Sequence, residues 1–454
     1  MEPIGTDDIP RLEDGGAATP FAPPEPEHTA VYRGGRLIDV TAPGVPALPG
    51  MTLVIRGERV AAVLPDEGVG RDLLSRAQTV VDLDGAWVLP GFVDSHQHLA
   101  TPPHRALAER LLARQVRAGV TAIRIMADDL RSVADLAPAT FTGEIAGPAI
   151  RFAALVADRS FFDDPRTGEA SQGGQRGAVP WMQAVDPQSD IGETVTLARG
   201  TGACAIKIYA NLDGDIVARL VGEAHRQGLL AWSHAGIFPA TPAQVIGAGM
   251  DAVSHADLLV YHTVAESPRS YREGHACRSR AYEAFLVSPP DSLDGLLGEM
   301  VRRGTVLDAT ASLAGLGRPG REDAVHMMAR EATRRIVRRA ASLGVVLAAG
   351  TDYETPLDDA FPSLYREVAY LAGPVGLEPP EVLRAATLGG ARAMGTLDDM
   401  DTLEPGKLAN AVVLAEDPRE DISQLRSLRF TLARGLRMDP IGGAAVWPGS
   451  AGCL

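Results

Sequence analysis

Cysteine is scarce in this chain, and the scarcity excludes two classes of protein. The 454 residues include three cysteines at irregular spacing, Cys204, Cys277 and Cys453. An odd and irregular set predicts neither a disulfide framework nor a cluster of thiolate metal ligands. Cys204 falls in a predicted buried strand, so we expect it to pack as an apolar group.

Long apolar runs and an excess of basic residues are also missing. No apolar stretch approaches the ~20 residues of a membrane-spanning helix, so no membrane partner is expected. A formal net charge of −15 disfavours a nucleic-acid partner, because phosphate binding needs a basic surface. The first residues lack the basic start and apolar core of a signal peptide. A cytoplasmic location is therefore expected, with export after removal of a signal as the alternative.

The chain does have a regular alternation of apolar strands and amphipathic helical stretches over residues 88–402. Helices are predicted at 105–118, 215–227 and 324–341. This alternation predicts an α/β fold with a parallel sheet and crossover helices, hence a (β/α)8, TIM-like barrel. The barrel strands are predicted to begin near Val88, Val120, Ala149, Ala203, Leu229, Met250, Thr305 and Val345.

The two ends of the chain differ in character from the middle. Residues 1–28 are rich in Pro, Gly and acidic residues, which predicts a flexible arm. Short strand-like runs separated by turn residues follow over 29–87 and return over 403–454. We therefore expect a small β domain that is assembled from both chain ends.

The stretch from Val88 to Leu99 is the most informative in the chain. It is an apolar run with strand character, and it ends in His96 and His98. Side chains at i and i+2 of a strand project from the same face, so the two imidazoles point together, as a metal-binding pair would. A pair of solvated loop histidines is the alternative.

Isolated ionisable residues recur in further apolar strands. Lys207 lies within one, His234 and His255 each end another, and Asp352 ends a fourth. Taken singly, His234 or His255 is better explained as a hydrogen-bonded core histidine than as a ligand. Because charged groups are rarely buried without a partner, the set together indicates a shared one, for which a divalent cation is the simplest candidate.

These residues resemble those of the metal-dependent amidohydrolase superfamily, in its imidazolonepropionase-like and dipeptidase-like branch. The resemblance runs from about residue 31 to 438 and includes the Pro-Gly-x-x-Asp-x-His-x-His signature at 90–98. It also includes the Ile-Lys-Ile strand, the strand-end histidines, Gly-Thr-Asp at 350–352 and the segment 403–414. It implies a TIM-like barrel with a small β-sandwich domain. Asn410 stands where the family usually has Asp.

The resemblance implies two divalent metal ions, of which zinc suits imidazole and oxygen ligands. One ion would be bound by His96 and His98 with Asp352, and the other by His234 and His255. Lys207 would bridge both ions as a carbon dioxide-derived carbamate, because a buried ammonium beside two cations loses its proton and the neutral amine can add carbon dioxide.

The implied activity is hydrolysis of an amide-type C–N bond in a small molecule such as an N-acyl amino acid or a dipeptide. A metal-bound hydroxide would attack the carbonyl, with Asp352 as general acid and base. Two alternatives stay open. One is a mononuclear deaminase or a hydrolase of cyclic amidines or lactams, with Lys207 unmodified. The other is a non-catalytic barrel scaffold. A homo-oligomer is compatible with the resemblance.

Two long insertions, 157–190 and 258–297, are candidates for the substrate-binding wall. An arginine there could hold a substrate carboxylate through two hydrogen bonds, although a solvated or internally paired arginine is the alternative. The second insertion carries Tyr261, His262, Tyr271 and His275, any of which could line the pocket. The predicted substrate-binding residues are Arg159, Phe162, Trp181, Tyr209 and His262.

Overall fold

A computed structural model describes residues 20–101, 103–315, 323–400 and 402–441. Most of the predicted N-terminal arm (1–28), the last part of the 403–454 segment and Cys453 lie outside the described residues. Within the described ranges, no helix combines the length and the apolar character that crossing a bilayer requires.

Strands and helices alternate through most of the described chain. The strands are β1 (Thr29–Ile38), β2 (Ala47–Arg56), β3 (Arg59–Pro65), β4 (Thr79–Asp82), β5 (Trp87–Pro90), β6 (Phe92–Gln97), β7 (Val120–Met126), β8 (Ala149–Asp158), β9 (Ala178–Val179), β10 (Met182–Val185), β11 (Ala205–Ile208), β12 (Leu230–His234), β13 (Ala252–Ser254), β14 (Val306–Asp308), β15 (Leu347–Ala348), β16 (Ala411–Leu414), β17 (Leu428–Ala433) and β18 (Leu436–Met438). The helices are α1 (Arg71–Arg76), α2 (Arg105–Arg117), α3 (Leu130–Thr142), α4 (Pro165–Glu169), α5 (Ile191–Gly200), α6 (Gly214–Arg226), α7 (Pro242–Gly247), α8 (Tyr271–Val287), α9 (Asp294–Arg303), α10 (Ala324–Ser342), α11 (Leu364–Tyr370), α12 (Pro379–Arg384) and α13 (Gly390–Met394).

Eight parallel strands form the predicted barrel, in the order β6, β7, β8, β11, β12, β13, β14 and β15. The backbone N–H of Ser95 donates to the carbonyl of Ala349 at 2.9 Å, which joins the first strand to the end of the last. The β9–β10 hairpin pairs, through β10, with the C-terminal part of β8. The TIM-barrel prediction is therefore confirmed.

A second sheet is built from both ends of the chain, as predicted. Its strands run in the order β18, β17, β16, β5, β1, β2 and β3, with β4 beside β1. The central contact is antiparallel pairing of β16 with β5, which joins strands more than 300 residues apart in sequence. Asn410 precedes β16, and its side-chain oxygen accepts a hydrogen bond from the Arg434 N–H at 2.8 Å. An amide oxygen suffices for that contact.

The long helices follow from amphipathic patterning. In α6 the buried residues recur at helical spacing, so that one stripe of the helix packs on the barrel and the other faces water. These residues are Ile216, Val217, Leu220, Val221 and Ala224. The bounds of α2, α6 and α10 agree with the sequence-based prediction to within one residue at each end.

The first barrel strand begins later than predicted. Val88 belongs to β5 of the small sheet, and the barrel strand β6 starts at Phe92. Gly91 separates the two, with its N–H bonded to the Asn410 carbonyl at 3.0 Å. A Cβ at Gly91 would lie 2.1 Å from Oγ1 of Thr121, so the chain passes this point too closely for any side chain. One apolar run thus serves two sheets.

Candidate metal centre and active site

The six predicted ligands meet at the carboxyl end of the barrel, where TIM-barrel enzymes carry their active sites. They come from or just follow β6, β11, β12, β13 and β15, and they border one cavity of about 580 Å³. These side chains are His96, His98, Lys207, His234, His255 and Asp352.

The Asp352 carboxylate lies among three of the histidines. Its Oδ1 is 3.1 Å from Nε2 of His98 and 3.5 Å from Nε2 of His96. Its Oδ2 is 3.9 Å from Nε2 of His255. Two ligands of a tetrahedral zinc ion lie ~3.3 Å apart, given metal–ligand bonds of about 2.0–2.1 Å. The carboxylate and the imidazoles are therefore spaced as ligands of a shared ion would be.

The His255 ring lies between those of His96 and His234. Its ring centroid is 4.9 Å from that of His96 and 4.6 Å from that of His234. Ligand atoms of His96, His255 and Asp352 all lie within 4.8 Å of one another. His96 and Asp352 were assigned to one ion and His255 to the other, whereas the structure brings all three together at one possible ion position.

In three of the histidines, a hydrogen-bond partner of Nδ1 fixes the orientation of the ring. His96 Nδ1 is 2.7 Å from Asp308, His98 Nδ1 is 2.9 Å from Asp128, and His255 Nδ1 is 2.9 Å from the Thr310 hydroxyl. An outer partner on one ring nitrogen leaves the other, Nε2, to face an ion, which is the usual arrangement around metal-binding histidines. None of these outer partners was singled out from the sequence, although Asp308 also ends an apolar strand.

Asp308 is the centre of a buried polar group beneath the site. Its Oδ2 accepts from His96, from the Ser254 hydroxyl at 2.7 Å and from the Arg124 guanidinium at 2.9 Å. Asp308 and Arg124 are both fully buried, and Arg124 also stacks on Trp232 with 4.7 Å between guanidinium and ring centre. A charge pair in the dry interior thus fixes the orientation of one predicted ligand.

Lys207 is buried in β11, and its Nζ has no hydrogen-bond partner among the described residues. Burial, and then the positive charge of Arg124, lowers the pKa of Lys207 to about 7. Nδ1 of His234 is buried and equally without a partner in the described part of the chain. Unpartnered polar atoms in a buried site are costly, so both are explained if a further group binds here.

Burial alone would raise the pKa of Asp352, but the facing imidazole of His96 and the hydrogen bond from His98 hold it below its ordinary value. Asp352 and His255 both have a positive φ, of 61° and 69°. Such backbone conformations cost free energy for residues with a side chain and cluster at functional sites. Asp352 thus combines a stabilised charged form with a backbone conformation that is typical of functional sites.

Comparison with known protein families identifies the family of this chain. The model of the amidohydrolase family matches residues 87–433, three quarters of the chain. This chain belongs to the amidohydrolase family. That membership confirms the prediction of an enzyme that hydrolyses carbon–nitrogen bonds.

Individual relatives of this amidohydrolase are distant. It is 24% identical to imidazolonepropionase from Symbiobacterium thermophilum over 405 residues, covering 84% of this chain and 87% of the relative. It spans only 11% of the length of an adenine deaminase from Rubrobacter xylanophilus, with 42% identity over 71 residues. It also spans only 20% of an imidazolonepropionase from Rhizobium meliloti.

Two solved structures share the fold. Ochratoxinase from A. niger has a TM-score of 0.72 at 18% identity, over 92% of this chain and 97% of that one. A Xaa-Pro dipeptidase with methionine bound in its active site has a TM-score of 0.67 at 21% identity, over 90% and 100%. These structures share the fold, and the family match confirms the predicted membership of the amidohydrolase superfamily.

Most of the residues predicted to bind substrate do not line the cavity of this amidohydrolase. Tyr209 lines it, as predicted, and stacks near His234 with ring centroids 4.2 Å apart. Arg159 and His262 are exposed on the two insertions, and neither lines the cavity. Phe162 packs in a local apolar cluster, and Trp181 donates its N–H to the Ala170 carbonyl at 2.8 Å.

Both insertions nevertheless reach the cavity of the amidohydrolase. Arg166 at the start of α4 comes from the first, and Tyr271, His275 and Arg278 on α8 come from the second. Of these, Tyr271 and His275 were among the sequence candidates of the second insertion. The rings of Tyr271 and His234 are 5.7 Å apart, so α8 contacts the predicted metal ligands directly.

Proposed function

We propose that this amidohydrolase is a metal-dependent enzyme that cleaves an amide-type C–N bond of a small molecule, such as an N-acyl amino acid or a dipeptide. The observation that carries the proposal is the position of Asp352, whose carboxylate lies 3.1–3.9 Å from ring nitrogens of three histidines at the cavity floor. A carboxylate so placed can both bind an ion and exchange a proton with a reacting group.

The proposed ligands are the four histidines, Lys207 and Asp352. The donor set of imidazole nitrogens with carboxylate-type oxygens suits zinc, with manganese, iron and cobalt as other occupants. The outer hydrogen bonds to Asp308, Asp128 and Thr310 support this assignment, because each leaves Nε2 of a histidine facing the centre.

Lys207 is proposed to act as a carbamate. A lysine pKa of about 7 leaves a large neutral fraction near neutrality. The neutral Nζ forms a bond to the carbon of carbon dioxide and loses one proton, which yields an anionic group with two oxygens. Such a group fills the environment in which the bare amine has no partner. Lys207 is one of only two lysines in the chain, the other being Lys407.

Divalent ions bound here would supply Lewis acidity, which would lower the pKa of water and polarise a carbonyl. Asp352 accepts the proton of the attacking water and delivers it to the nitrogen of the breaking C–N bond, so that the amine leaves neutral. The lowered pKa of Asp352 keeps the carboxylate ionised before the reaction. Tyr209, beside His234 at the cavity wall, orients the substrate carbonyl.

Metal content separates this proposal from the mononuclear alternative. Elemental analysis of protein purified without chelators and with bicarbonate is expected to give about two equivalents per chain. Lys207→Ala should lower that value, whereas the matched Lys407→Ala should not. A carbamate carbon labelled from carbon-13 bicarbonate should disappear from the NMR spectrum in Lys207→Ala alone. A metal content of one equivalent per chain that is unchanged in Lys207→Ala would favour a deaminase or a cyclic-amidine hydrolase.

Catalysis is tested with Asp352→Asn on a panel of N-acyl amino acids and dipeptides. We expect loss of hydrolysis by at least ~100-fold, in line with removal of a general acid–base group, with folding intact by circular dichroism. Asp190→Asn is the control, because Asn also caps a helix and Asp190, which caps α5, does not line the cavity. Absence of hydrolysis by the metal-loaded parent across the panel would favour the scaffold alternative.

A further inference from the structure

One cation of the cavity forms no ion pair with any carboxylate of the described residues. Arg278 lines the cavity from α8, and its Nε is buried without a hydrogen-bond partner in the described ranges. The Asp257 carboxylate raises the pKa of Arg278 through its charge, but it accepts its hydrogen bond from the Tyr282 hydroxyl, at 2.6 Å, and not from Arg278. Arginine side chains are rarely left in this condition, because a partly buried charge without a partner is costly.

The hydrogen bond between Arg278 and His275 fixes the state of the histidine. A guanidinium nitrogen of Arg278 lies 3.0 Å from Nδ1 of His275. Because a guanidinium only donates, Nδ1 must accept, and the neutral ring then carries its proton on Nε2. Burial, and next the charge of Arg278, lowers the pKa of His275 to about 4, which agrees with a neutral ring. The pair therefore offers one positive charge and additional N–H donors.

The other arginine of the cavity wall differs. Arg166 is held by Asp164 through two hydrogen bonds, of 3.1 Å and 2.8 Å, in a fork-to-fork arrangement. Its charge is therefore already balanced by a neighbour in sequence. Arg278 forms no such ion pair with a described carboxylate, so it is the cation that remains available to a ligand.

Arg278 lies at a distance from the predicted metal ligands that a substrate can span. The His234 and Tyr271 rings are 5.7 Å apart, and the Tyr271 and His275 rings are 4.5 Å apart. Arg278 in turn contacts His275, at 3.0 Å from its Nδ1. The wall of the same cavity includes the apolar side chains of Leu155, Phe161 and Leu258. A ligand that reaches both ends therefore has an apolar middle, and its two polar groups are several bonds apart.

We infer that Arg278, with His275 beside it, is a carboxylate-binding subsite, and that the substrate carries a carboxylate remote from the amide that is cleaved. This inference rests on the proposed function, because it takes the amide to lie at the metal ligands. Two N–H groups of the guanidinium bind the two carboxylate oxygens, with His275 holding the guanidinium in place. An α-carboxylate, next to the amide nitrogen, is too close to the scissile bond to reach beyond Tyr271.

Paired substrates test the subsite. Each acid of an N-acyl panel with a remote carboxylate is compared with its neutral carboxamide twin, in the parent, Arg278→Met, Arg278→Lys and Arg280→Met. Arg280 is exposed on the same helix and does not line the cavity, so it is the matched control. The measured quantity is the ratio of kcat/KM for acid over amide.

The parent is expected to prefer the acid by at least ~10-fold, as loss of a charge-assisted hydrogen bond predicts. Arg278→Met should lower kcat/KM for the acid by ~10–100-fold and leave the amide within about threefold. Arg278→Lys should retain part of the preference, and Arg280→Met all of it. An equal loss for acid and amide in Arg278→Met would mean a structural role and would overturn the inference.

A binding measurement keeps the subsite separate from the proposed activity. Glutarate, a dicarboxylate without an amide, is titrated into each variant by calorimetry. Weaker binding by ~10-fold or more in Arg278→Met, with Arg280→Met unchanged, supports the subsite even if no panel member is hydrolysed. Hydrolysis of acids and amides at equal rates, or glutarate binding that ignores Arg278, overturns the subsite and leaves the proposed hydrolase standing.

Discussion

The buried pair of Arg124 and Asp308 gives the sharpest test of how the barrel interior supports the metal centre. Asp308→Asn removes the negative charge that faces the fully buried Arg124 at 2.9 Å. Breaking a buried pair by removing one partner costs about 3–5 kcal/mol, because the remaining charge is uncompensated. We expect the free energy of unfolding to fall by that amount in Asp308→Asn, and by a similar amount in Arg124→Met.

The double variant is expected to recover much of the loss. With both charges gone, no buried group remains uncompensated, so the combined cost should be smaller than the sum of the single costs by about 2 kcal/mol or more. Urea unfolding, followed by tryptophan fluorescence, measures each corner of the cycle. The surface pair of Arg339 and Asp294, each more than 30% exposed, is the control and should couple by about 0–1 kcal/mol.

Metal affinity should respond differently from stability. Asp308 also bonds Nδ1 of His96 at 2.7 Å, and loss of such an outer partner typically lowers metal affinity about 10–100-fold. Arg124→Met in the Asp308→Asn background does not restore that carboxylate. The double variant should therefore regain stability but not metal affinity. Additive stability costs, or metal affinity that returns with stability, would refute this account of the pair.

Two further predictions concern neighbouring positions. Gly350→Ala would place a Cβ 2.1 Å from Asp308 Oδ1 and 2.8 Å from Cβ of His96, so we expect a loss of about 1–3 kcal/mol of stability and weaker metal binding, measured by thermal melting and metal titration. Gly295→Ala in α9, where a Cβ meets nothing within 4 Å, should show neither loss. Burial raises the pKa of Glu367 to about 7, so the folded state binds this proton more tightly than the unfolded chain. The group's contribution to stability is therefore present below about pH 4.5 and lost as the pH rises through 7. Relative to Glu367→Gln, the parent should lose stability between pH 5 and pH 8 in urea titrations, and a flat or rising difference would contradict the prediction.

Much of the metal centre could be predicted because strand periodicity determines where a strand-end side chain points. His96, His234 and Asp352 each end or just follow an apolar strand, and parallel strands bring such ends to one rim. The same pattern also occurs at Asp308, after Val306 and Leu307, and would have identified it. Its role behind His96 depends on a contact across 212 positions that no local pattern carries.

The substrate wall was harder to predict because it depends on tertiary packing of irregular segments. Arg159 and Arg166 are both arginines of the first insertion, yet only Arg166 turns into the cavity, after a short 3-10 segment redirects the chain. Likewise, α8 in the second insertion presents Tyr271 and Arg278 to the cavity, whereas His262 lies before the helix and faces out. Composition indicated which segments matter, but not which side chains enter.

The small sheet can be completed only late in translation, because its strands come from both ends of the chain. Strand β5 leaves the ribosome early, but its antiparallel neighbour β16 follows only after the whole barrel has been translated. Throughout that interval β5 presents an open edge, which is a template for pairing with another nascent chain. The barrel can close on itself first, and the late strands then cover the edge and join the two termini of the catalytic unit. A chain cut after Gly395 would retain every predicted metal ligand and still carry this aggregation-prone edge.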